Sequence, residues 1–207
     1  MKRTAYYLLF LLAALAAGCS SEVSLFNGEN LDGWVSVLPE DAAEPVFVAG
    51  DGVISVSGTP KGYLRTEKKY GDYCLSVEWR WKGAGTNSGI FNRIQDPDKV
   101  WPEAVECQLK AGRAGDVVGL GGIRIEEIPF DPEVKFPVHK RTSGDGSIEV
   151  PEGEWNKAEI VCRGGKVSIC INGSLENEVT VPYTDGYIAI QSEGGPLQFR
   201  NITLKEL

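Results

Sequence analysis

Apolar and polar residues alternate along most of the chain beyond its first twenty positions. From Tyr73 to Trp81 the odd positions are apolar and the even positions are mainly polar. Val105, Cys107 and Leu109 alternate in the same way with polar neighbours. A period of two is the pattern of a β-strand that buries one face. Similar signals predict further strands at 53–56, 155–171 and 188–193.

Short glycine-containing turns separate these strands, for example Gly50-Asp51-Gly52 and Asn172-Gly173. No segment after the first eighteen residues sustains the 3.6-residue period of a helix. Many strands with one apolar face each must bury those faces against a second sheet. The sequence therefore predicts an all-β fold, a single antiparallel two-sheet β-sandwich. The stretch 129–151 has little pattern, and we expect it to form a long excursion over the sandwich.

The charge of the chain disfavours one class of partner. Its 207 residues include 21 Lys and Arg and 29 Asp and Glu, which give a formal net charge of −8. Binding to phosphate backbones needs the opposite sign, so no nucleic-acid partner is expected. His139 is the single histidine, and a lone histidine is more often structural or exposed than catalytic. We keep His139 only as a candidate substrate-binding residue.

The first residues have the pattern of a secretory signal. Lys2 and Arg3 precede an apolar run from 5 to 17. At ~1.5 Å per residue this run is too short for a ~30 Å hydrocarbon core, and it fits the apolar region of a signal peptide. It ends in the sequence LAAGC, which resembles a bacterial lipobox, although Ala16 stands where Leu is usual. The alternative is an ordinary signal peptide followed by a chance cysteine.

These features predict the domain organisation and the compartment. We expect a signal peptide at 1–18, a lipidated Cys19 with a short tether at 19–24, and one domain at 25–207. Such a protein would be anchored to the membrane through the lipid on Cys19, in the cell envelope. It would face either the periplasm or the cell exterior.

The other four cysteines are expected to be mostly buried small apolar residues. Cys162 and Cys170 flank a two-residue turn, and a hairpin there pairs Cys162 with Val167. Cys170 then points to the opposite face, which argues against a disulfide between the two. The sequence contains no Cys-x-x-Cys or Cys/His metal spacing.

Two carboxylate–amide pairs are the clearest chemical signal. Glu106 and Gln108 stand two residues apart, as do Gln191 and Glu193. Members of a pair share one face of a strand, about 7 Å apart. Sugar hydroxyls need donors and acceptors together, and carboxylates from two strands can divide acid and base work. The alternative is that these side chains simply face water, as on any half-buried sheet.

The segment 87–93 (NSGIFNR) and the nearby Trp101 add further candidates. Gly89 inside a strand indicates a bend or a close approach of the backbone. Arg93 could hold a carboxylate or a developing enolate oxygen, or it could pair with a surplus acid. Asn92 is a candidate substrate-binding residue. Trp101 could stack on a sugar ring, or it could plug the edge of the sandwich.

Six segments resemble motifs of one known family and follow the same order. The segments are 25–34 (LFNGENLDGW), 63–73 (YLRTEKKYGDY), 87–93 (NSGIFNR), 153–156 (GEWN), 171–173 (ING) and 199–202 (FRNI). On these motifs the chain is similar, from residue 25 to 207, to the 3-keto-disaccharide hydrolase domain, which is common in secreted bacterial lipoproteins. The resemblance implies a jelly-roll sandwich of the concanavalin A-like lectin and glucanase type.

The resemblance also implies an activity, the cleavage of glycosides already oxidised to a ketone at C3 of the sugar. The ketone acidifies the C2 hydrogen, a base removes it, the glycosidic oxygen leaves from C1, and water adds to the enone. Net hydrolysis results. A sugar 3-oxidoreductase acting upstream would supply the substrate.

Roles follow for the candidate residues on this resemblance. Glu106 is the predicted base, Arg93 or a bound divalent cation is the enolate stabiliser, and Glu193 delivers a proton or binds a metal. Glu106 and Glu193 are therefore the candidate metal ligands. Gln108 and Gln191 would orient hydroxyls. Many family members have a His near the position of Glu193, and a carboxylate there favours cation binding over general-acid work.

Two other functions stay open on the sequence. The same face could hold a glycan without turnover, as in a lectin-like surface module. Alternatively, the acids only keep an accessory domain soluble.

Overall fold

The computed structural model describes residues 21–42, 45–95, 97, 99–146 and 148–207. The predicted signal peptide and Cys19 lie outside these residues. No helix in the described part is long and apolar enough to cross a membrane. Its strands are β1 (Val23–Ser24), β2 (Trp34–Val37), β3 (Phe47–Gly50), β4 (Val53–Val56), β5 (Gly62–Thr66), β6 (Tyr73–Trp81), β7 (Gly89–Ile94), β8 (Ala104–Gln108), β9 (Val117–Leu120), β10 (Val138–His139), β11 (Asn156–Arg163), β12 (Lys166–Ile171), β13 (Ser174–Thr180), β14 (Tyr187–Ser192) and β15 (Leu197–Glu206).

The strands form two antiparallel sheets around a shared core. The eight-stranded sheet has the order β13-β12-β11-β6-β15-β4-β3, with β1 paired to β15. The seven-stranded sheet has the order β10-β9-β8-β7-β14-β5-β2. Strands distant in sequence are neighbours in both sheets, as in β6 beside β15 and β7 beside β14. The predicted antiparallel two-sheet β-sandwich is confirmed.

The core lies between the sheets because alternation directs one apolar face of each strand inward. β6 buries every odd residue from Tyr73 to Trp81, and Trp79 is fully enclosed. Val105 and Cys107 of β8 join the same core from the other sheet. Burial of each large apolar side chain stabilises the fold by about 1.5–3 kcal/mol. A shift of one residue in the strand pairing would turn these apolar side chains toward solvent. Burial of the core therefore fixes the register, and the same register places the side chains on the outer faces of the sheets.

A β-bulge in β7 turns Arg93 into the interior, next to Asn92, which faces inward by ordinary alternation with Phe91. The pairing of β7 with β14 shifts register between Tyr187 and Ala189, where Asn92 and Arg93 stand opposite a single residue. Arg93 has a left-handed φ of +59° at this point. An extra residue in one strand reverses the side to which the following side chains point. The bulge therefore separates Arg93 from the outer face that carries Phe91.

The bulged side chains are fully buried and hydrogen-bonded. The hydroxyl of Tyr73 donates to Asn92 Oδ1 at 2.8 Å. The Arg93 guanidinium donates to the backbone oxygens of Gly71 and Gly164 at 2.6 and 2.9 Å. These contacts tie β7 to the connections that flank β6 and β11. They give both residues a structural role.

The predicted excursion at 129–151 contains one short strand, β10, among its described residues. Its buried anchor is Arg141, which is only 3% exposed. The guanidinium donates to the backbone oxygens of Ala114, Gly144 and Gly146 at 2.8–3.0 Å. The bonds to Gly144 and Gly146 hold the excursion together, and the bond to Ala114 fixes it against the connection between β8 and β9.

The cysteines are placed as the hairpin geometry predicted. Cys162 pairs with Val167 across the turn and lies in the core. Cys170 lies on the other face of β12 and is partly exposed. Cys74, Cys107, Cys162 and Cys170 are all free thiols.

Candidate active site

The outer face of the seven-stranded sheet brings the two carboxylate–amide pairs together. β8, β7 and β14 are adjacent strands at the centre of this sheet. Cys107 and Ile190 belong to the core on the inner side, so Glu106 and Gln191 project from the outer side. Glu193 continues this alternation beyond the end of β14. Residues 85 positions apart in the chain thus share one small surface.

Glu106 is a buried carboxyl group in contact with a neighbouring strand. The residue is 3% exposed. Its side chain lies so close over Gly89 that a β-carbon on Gly89 would stand 2.1 Å from Glu106 Oε1. Burial, and then the charge of Glu193, raise the pKa of Glu106 to about 8. A carboxyl group with a pKa near 8 is a stronger base, once ionised, than an exposed one.

Gln191 and Glu193 form a short polar chain that ends at a cation. Gln191 Nε2 donates to Glu193 Oε2 at 2.9 Å. Lys61 Nζ donates to Glu193 Oε1 at 2.5 Å. The side chain of Glu193 is 15% exposed and that of Lys61 is 58% exposed. The ion pair therefore lies at the solvent side of the site, with Gln191 beneath it.

Three buried oxygen atoms of this site have no hydrogen-bond partner among the described residues. They are Glu106 Oε1, Gln191 Oε1 and Asn87 Oδ1. Asn87 pairs with Glu193 in an isolated bridge, so its side chain leaves the sheet on the same face. A buried acceptor without a donor costs about 1–3 kcal/mol. Such a site is suited to a ligand that brings several hydrogen-bond donors.

Aromatic side chains form the apolar part of the site. Tyr63, Phe91 and Ala189 are fully buried in a second cluster on the outer face, and Trp101 packs against it. The connection from β7 to β8 crosses this cluster, where the Tyr63 hydroxyl donates to the backbone oxygen of Lys99 at 2.9 Å. This cover contributes to the burial of the outer face. Trp101 therefore lies on the outer face of the sheet, beside the hydrogen-bonded residues Gln191 and Glu193, and does not serve only to cover the edge of the sandwich.

Trp101 also connects the site to the excursion. Its ring centroid is 5.5 Å from that of Phe136, with the planes tilted by 56°. Lys61 Nζ lies 5.7 Å from the Trp101 ring centroid. An aromatic wall with a cation at its end can contact both the apolar face and the hydroxyls of a sugar.

Gln108 shares the outer face but is partly engaged in its own turn. It pairs with Gly89 across β8 and β7. Its Oε1 accepts hydrogen bonds from the backbone N–H groups of Leu109 and Lys110 at 3.0 and 2.9 Å. Only its Nε2 is left to contact a hydroxyl.

Three predicted site residues lie elsewhere, and those predictions are corrected. Asn92 points into the core by the ordinary alternation of β7, opposite the core residue Val105. Arg93 points into the core because of the β-bulge. Neither residue therefore reaches the face that carries Glu106. His139 pairs with Val117, whose side chain lies in the core, and it therefore sits on the inner side of the sheet. The His139 ring shares a 2.6 Å hydrogen bond with Asn177 of β13. Its role is to link the edges of the two sheets.

The sequence interpretation missed Lys61 and the amide of Asn87. Lys61 stands two residues before Tyr63, so alternation along β5 would place both on one face. What the sequence does not reveal is that β5 pairs with β14, next to Glu193. Asn87 was visible in the distinctive NSG run, but its pairing with Glu193 is equally non-local.

The residues present do not fit a resident divalent cation. Within the described residues there is no group of three or more His, Cys, Asp or Glu side chains that could hold a metal ion. The site has two carboxylates, and Glu193 is already paired with the Lys61 ammonium. A dication beside that ammonium would meet like charge. Glu106 and Glu193 are therefore better described as a buried carboxyl group and an ion-pair partner than as metal ligands.

Comparison with known families identifies the domain. The family described as the 3-keto-alpha-glucoside-1,2-lyase-like domain matches residues 21–205. The chain belongs to this family. The match confirms the resemblance drawn from the sequence motifs. No curated protein matches the chain significantly.

Solved structures with the same fold include carbohydrate-related proteins. A "putative glycosyl hydrolase" of Parabacteroides distasonis has 21% identity and a TM-score of 0.65, covering 90% of this chain and 94% of its own. The carbohydrate-binding module CBM66 of Bacillus subtilis has 9% identity and a TM-score of 0.61, covering 84% and 96%. The β-glucanase of Bacillus licheniformis has 16% identity and a TM-score of 0.56, covering 93% and 100%. At these identities the likeness establishes the jelly-roll fold.

Proposed function

We propose that this protein is a carbohydrate-active enzyme that cleaves 3-keto-glycosides by elimination and hydration. Membership of the lyase-like family supports the carbohydrate-active class. The observation that carries the proposal is the set of three unpartnered buried oxygens, one of which belongs to the buried carboxyl group of Glu106. A sugar brings several hydroxyl donors in a small volume, which is what these acceptors lack.

Glu106 is the base in this proposal. Its carboxylate takes the C2 proton of the 3-keto sugar, and the electron pair of the C2–H bond forms an enolate with negative charge on the C3 oxygen. The enolate then re-forms the ketone while the C1–O bond breaks, and the departing oxygen takes up the proton that Glu106 removed from C2. Water adds to C1 of the enone and a proton returns to C2. The sum is a 3-keto-glycoside plus water giving a 3-keto sugar and the free aglycone alcohol.

The neighbouring groups hold the sugar against this base. Gln191 Oε1 and Asn87 Oδ1 accept hydrogen bonds from hydroxyls, and Trp101 contacts an apolar face of the ring. Glu193 holds the Lys61 ammonium and orients Gln191 through the 2.9 Å hydrogen bond. These contacts place the C2 hydrogen next to a fixed base, so part of the binding free energy lowers the activation barrier of proton transfer.

A second candidate is a glycan-binding module without turnover. Acceptor oxygens beside an aromatic wall suffice to bind a sugar, and CBM66 has the same fold. The distinguishing feature is Glu106, since a binding module has no need of a buried carboxyl group with a pKa near 8.

The test is incubation with 3-keto-glucosides of α and β linkage, followed by detection of free aglycone. We expect cleavage by the wild-type protein, with or without a chelator. Glu106→Gln should lose about 10²–10⁴-fold in rate, the usual contribution of general-base catalysis. Glu159→Gln, on the outer face of the eight-stranded sheet, is the matched control and should cleave normally. Binding of the substrate by Glu106→Gln should persist. Sugar binding without cleavage in the wild type would favour the binding module, and wild-type turnover by Glu106→Gln would refute the assignment of the base.

The compartment and the supply of substrate are part of the same proposal. A lipid on Cys19 would anchor the domain in the cell envelope, facing the periplasm or the exterior. The substrate must come from an oxidation of a glycoside at C3, the reaction of a sugar 3-oxidoreductase. Replacement of Cys19 by Ala should move the protein from the membrane fraction to the soluble fraction.

A further inference from the structure

Lys61 places a positive charge at the rim of the candidate active site. It stands one residue before β5 and shares the outer face with Tyr63 of that strand. Its ammonium is 2.5 Å from Glu193 Oε1 and 5.7 Å from the Trp101 ring centroid. Because Glu193 in turn holds Gln191, the cation is fixed relative to the unpartnered oxygens of the site.

The ammonium keeps donors for a ligand. It has three N–H groups, and among the described residues its hydrogen-bond partner is Glu193. The side chain is 58% exposed, so the remaining donors meet solvent in the free protein. A ligand oxygen that enters beside Glu193 can replace that solvent.

Other cations near this face are committed to different partners. Arg65 leaves the same face, but its guanidinium stacks 4.5 Å from the Tyr187 ring centroid and donates to the backbone oxygen of Thr66 at 3.0 Å. Arg93, the cation predicted from sequence, is enclosed in the core. Lys61, in contrast to Arg65 and Arg93, forms an ion pair with Glu193, a carboxylate of the site.

We propose that Lys61 is a catalytic residue whose ammonium stabilises the enolate oxygen formed when Glu106 removes the C2 proton. This inference rests on the proposed function and assigns to Lys61 the role that the sequence predicted for Arg93. In the step, the C2–H bond breaks, its proton goes to Glu106, and its electron pair forms C2=C3 while the C3 carbonyl electrons move to oxygen. Lys61 donates a hydrogen bond to that oxygen and keeps its own proton. No oxidant or reductant is needed.

The experiment separates enolate formation from departure of the aglycone. A methyl 3-keto-glucoside in D₂O exchanges its C2 hydrogen for deuterium each time the enolate forms and is reprotonated, and NMR measures the rate. A 3-keto-glucoside with a good leaving group reports overall cleavage. The variants are Lys61→Met, which keeps the chain length without the charge, and Lys61→Arg, which keeps the charge. The control is Lys157→Met, which removes a similarly exposed lysine paired with Glu159 at 2.8 Å on the other sheet.

Lys61→Met should lose both exchange and cleavage by about 10²–10³-fold, the usual effect of removing one oxyanion donor. Lys61→Arg should recover part of both rates, and Lys157→Met should match the wild type. A cleavage defect with normal exchange would overturn the inference, because Lys61 would then act on the leaving group. Normal rates for both reactions in Lys61→Met would overturn it as well. Wild-type protein that neither exchanges nor cleaves would instead refute the proposed function.

Discussion

The carboxyl group of Glu106 occupies the space directly over the α-carbon of Gly89 on the neighbouring strand. A β-carbon on Gly89 would stand 2.1 Å from Oε1, 2.7 Å from Cδ and 2.8 Å from Cγ of Glu106. Such contacts are far inside van der Waals distance. Gly89 is required here because the carboxyl group of Glu106 lies against the backbone, which also explains why a glycine interrupts this β-strand pattern.

Gly89→Ala should therefore displace the base without unfolding the protein. The three atoms in its way all belong to the side chain of Glu106, so the displacement falls on that side chain rather than on the backbone. We expect the cleavage rate to fall by at least 10²-fold, since about 1 Å of misplacement can cost that much. The melting temperature should change little.

The control for Gly89→Ala is Gly83→Ala, where no atom lies within 4 Å of the added β-carbon. Steady-state cleavage of a 3-keto-glucoside and thermal melting measure both variants. Normal turnover by folded Gly89→Ala would show that the observed position of Glu106 is not needed for activity.

The raised pKa of Glu106 makes the stability of the protein depend on pH in a specific direction. The carboxyl group ionises at its ordinary value of 4.5 in the unfolded chain and at about 8 in the folded protein. Between these values the folded state holds a proton that the unfolded state has lost, so stability falls as pH rises, at most by about 1.4 kcal/mol per pH unit. Glu106→Gln has no such proton to lose. Its stability relative to the wild type should thus increase from pH 5 to pH 8.

Chemical denaturation of both proteins at pH 5 and pH 8 measures this difference. Glu159→Gln controls for the loss of a charge as such. An equal difference at both pH values would mean that Glu106 is not held in its protonated form. The same ionisation should appear in catalysis, where cleavage by the wild type rises with pH up to about 8.

Local patterns predicted much of the fold and half of the site. The alternation from Tyr73 to Trp81 coincides with β6, and the segment 53–56 coincides with β4. The face of a side chain follows from its parity within a strand, so the outward placement of Glu106 and Gln191 was predictable. The hairpin that pairs Cys162 with Val167 is likewise set by a two-residue turn.

Long-range pairing and one inserted residue account for what was missed. β5, β7 and β14 come from distant parts of the chain, and their adjacency alone brings Lys61 to Glu193. The bulge in β7 reverses the alternation of side chains within one strand. Arg93, which alternation from Phe91 predicts on the outer face, therefore lies in the core. Neither feature leaves a local signal in the sequence, and both decide which cation belongs to the site.

Arg93 and Lys61 should therefore give opposite results when each is replaced by methionine. Arg93→Met removes the fully buried guanidinium and its hydrogen bonds to the backbone oxygens of Gly71 and Gly164, and a hydrogen bond from a charged group contributes about 1.5–3 kcal/mol. We expect the free energy of unfolding to fall by about 3 kcal/mol or more, while the folded fraction cleaves substrate at a near-normal rate at low temperature. Lys61→Met should instead keep the stability and lose the rate. Denaturation curves and turnover at 15 °C, about the temperature where such domains are most stable, measure both quantities. A stable but inactive Arg93→Met would return the enolate role to Arg93, since a guanidinium needed only for packing cannot affect the chemistry of protein that remains folded.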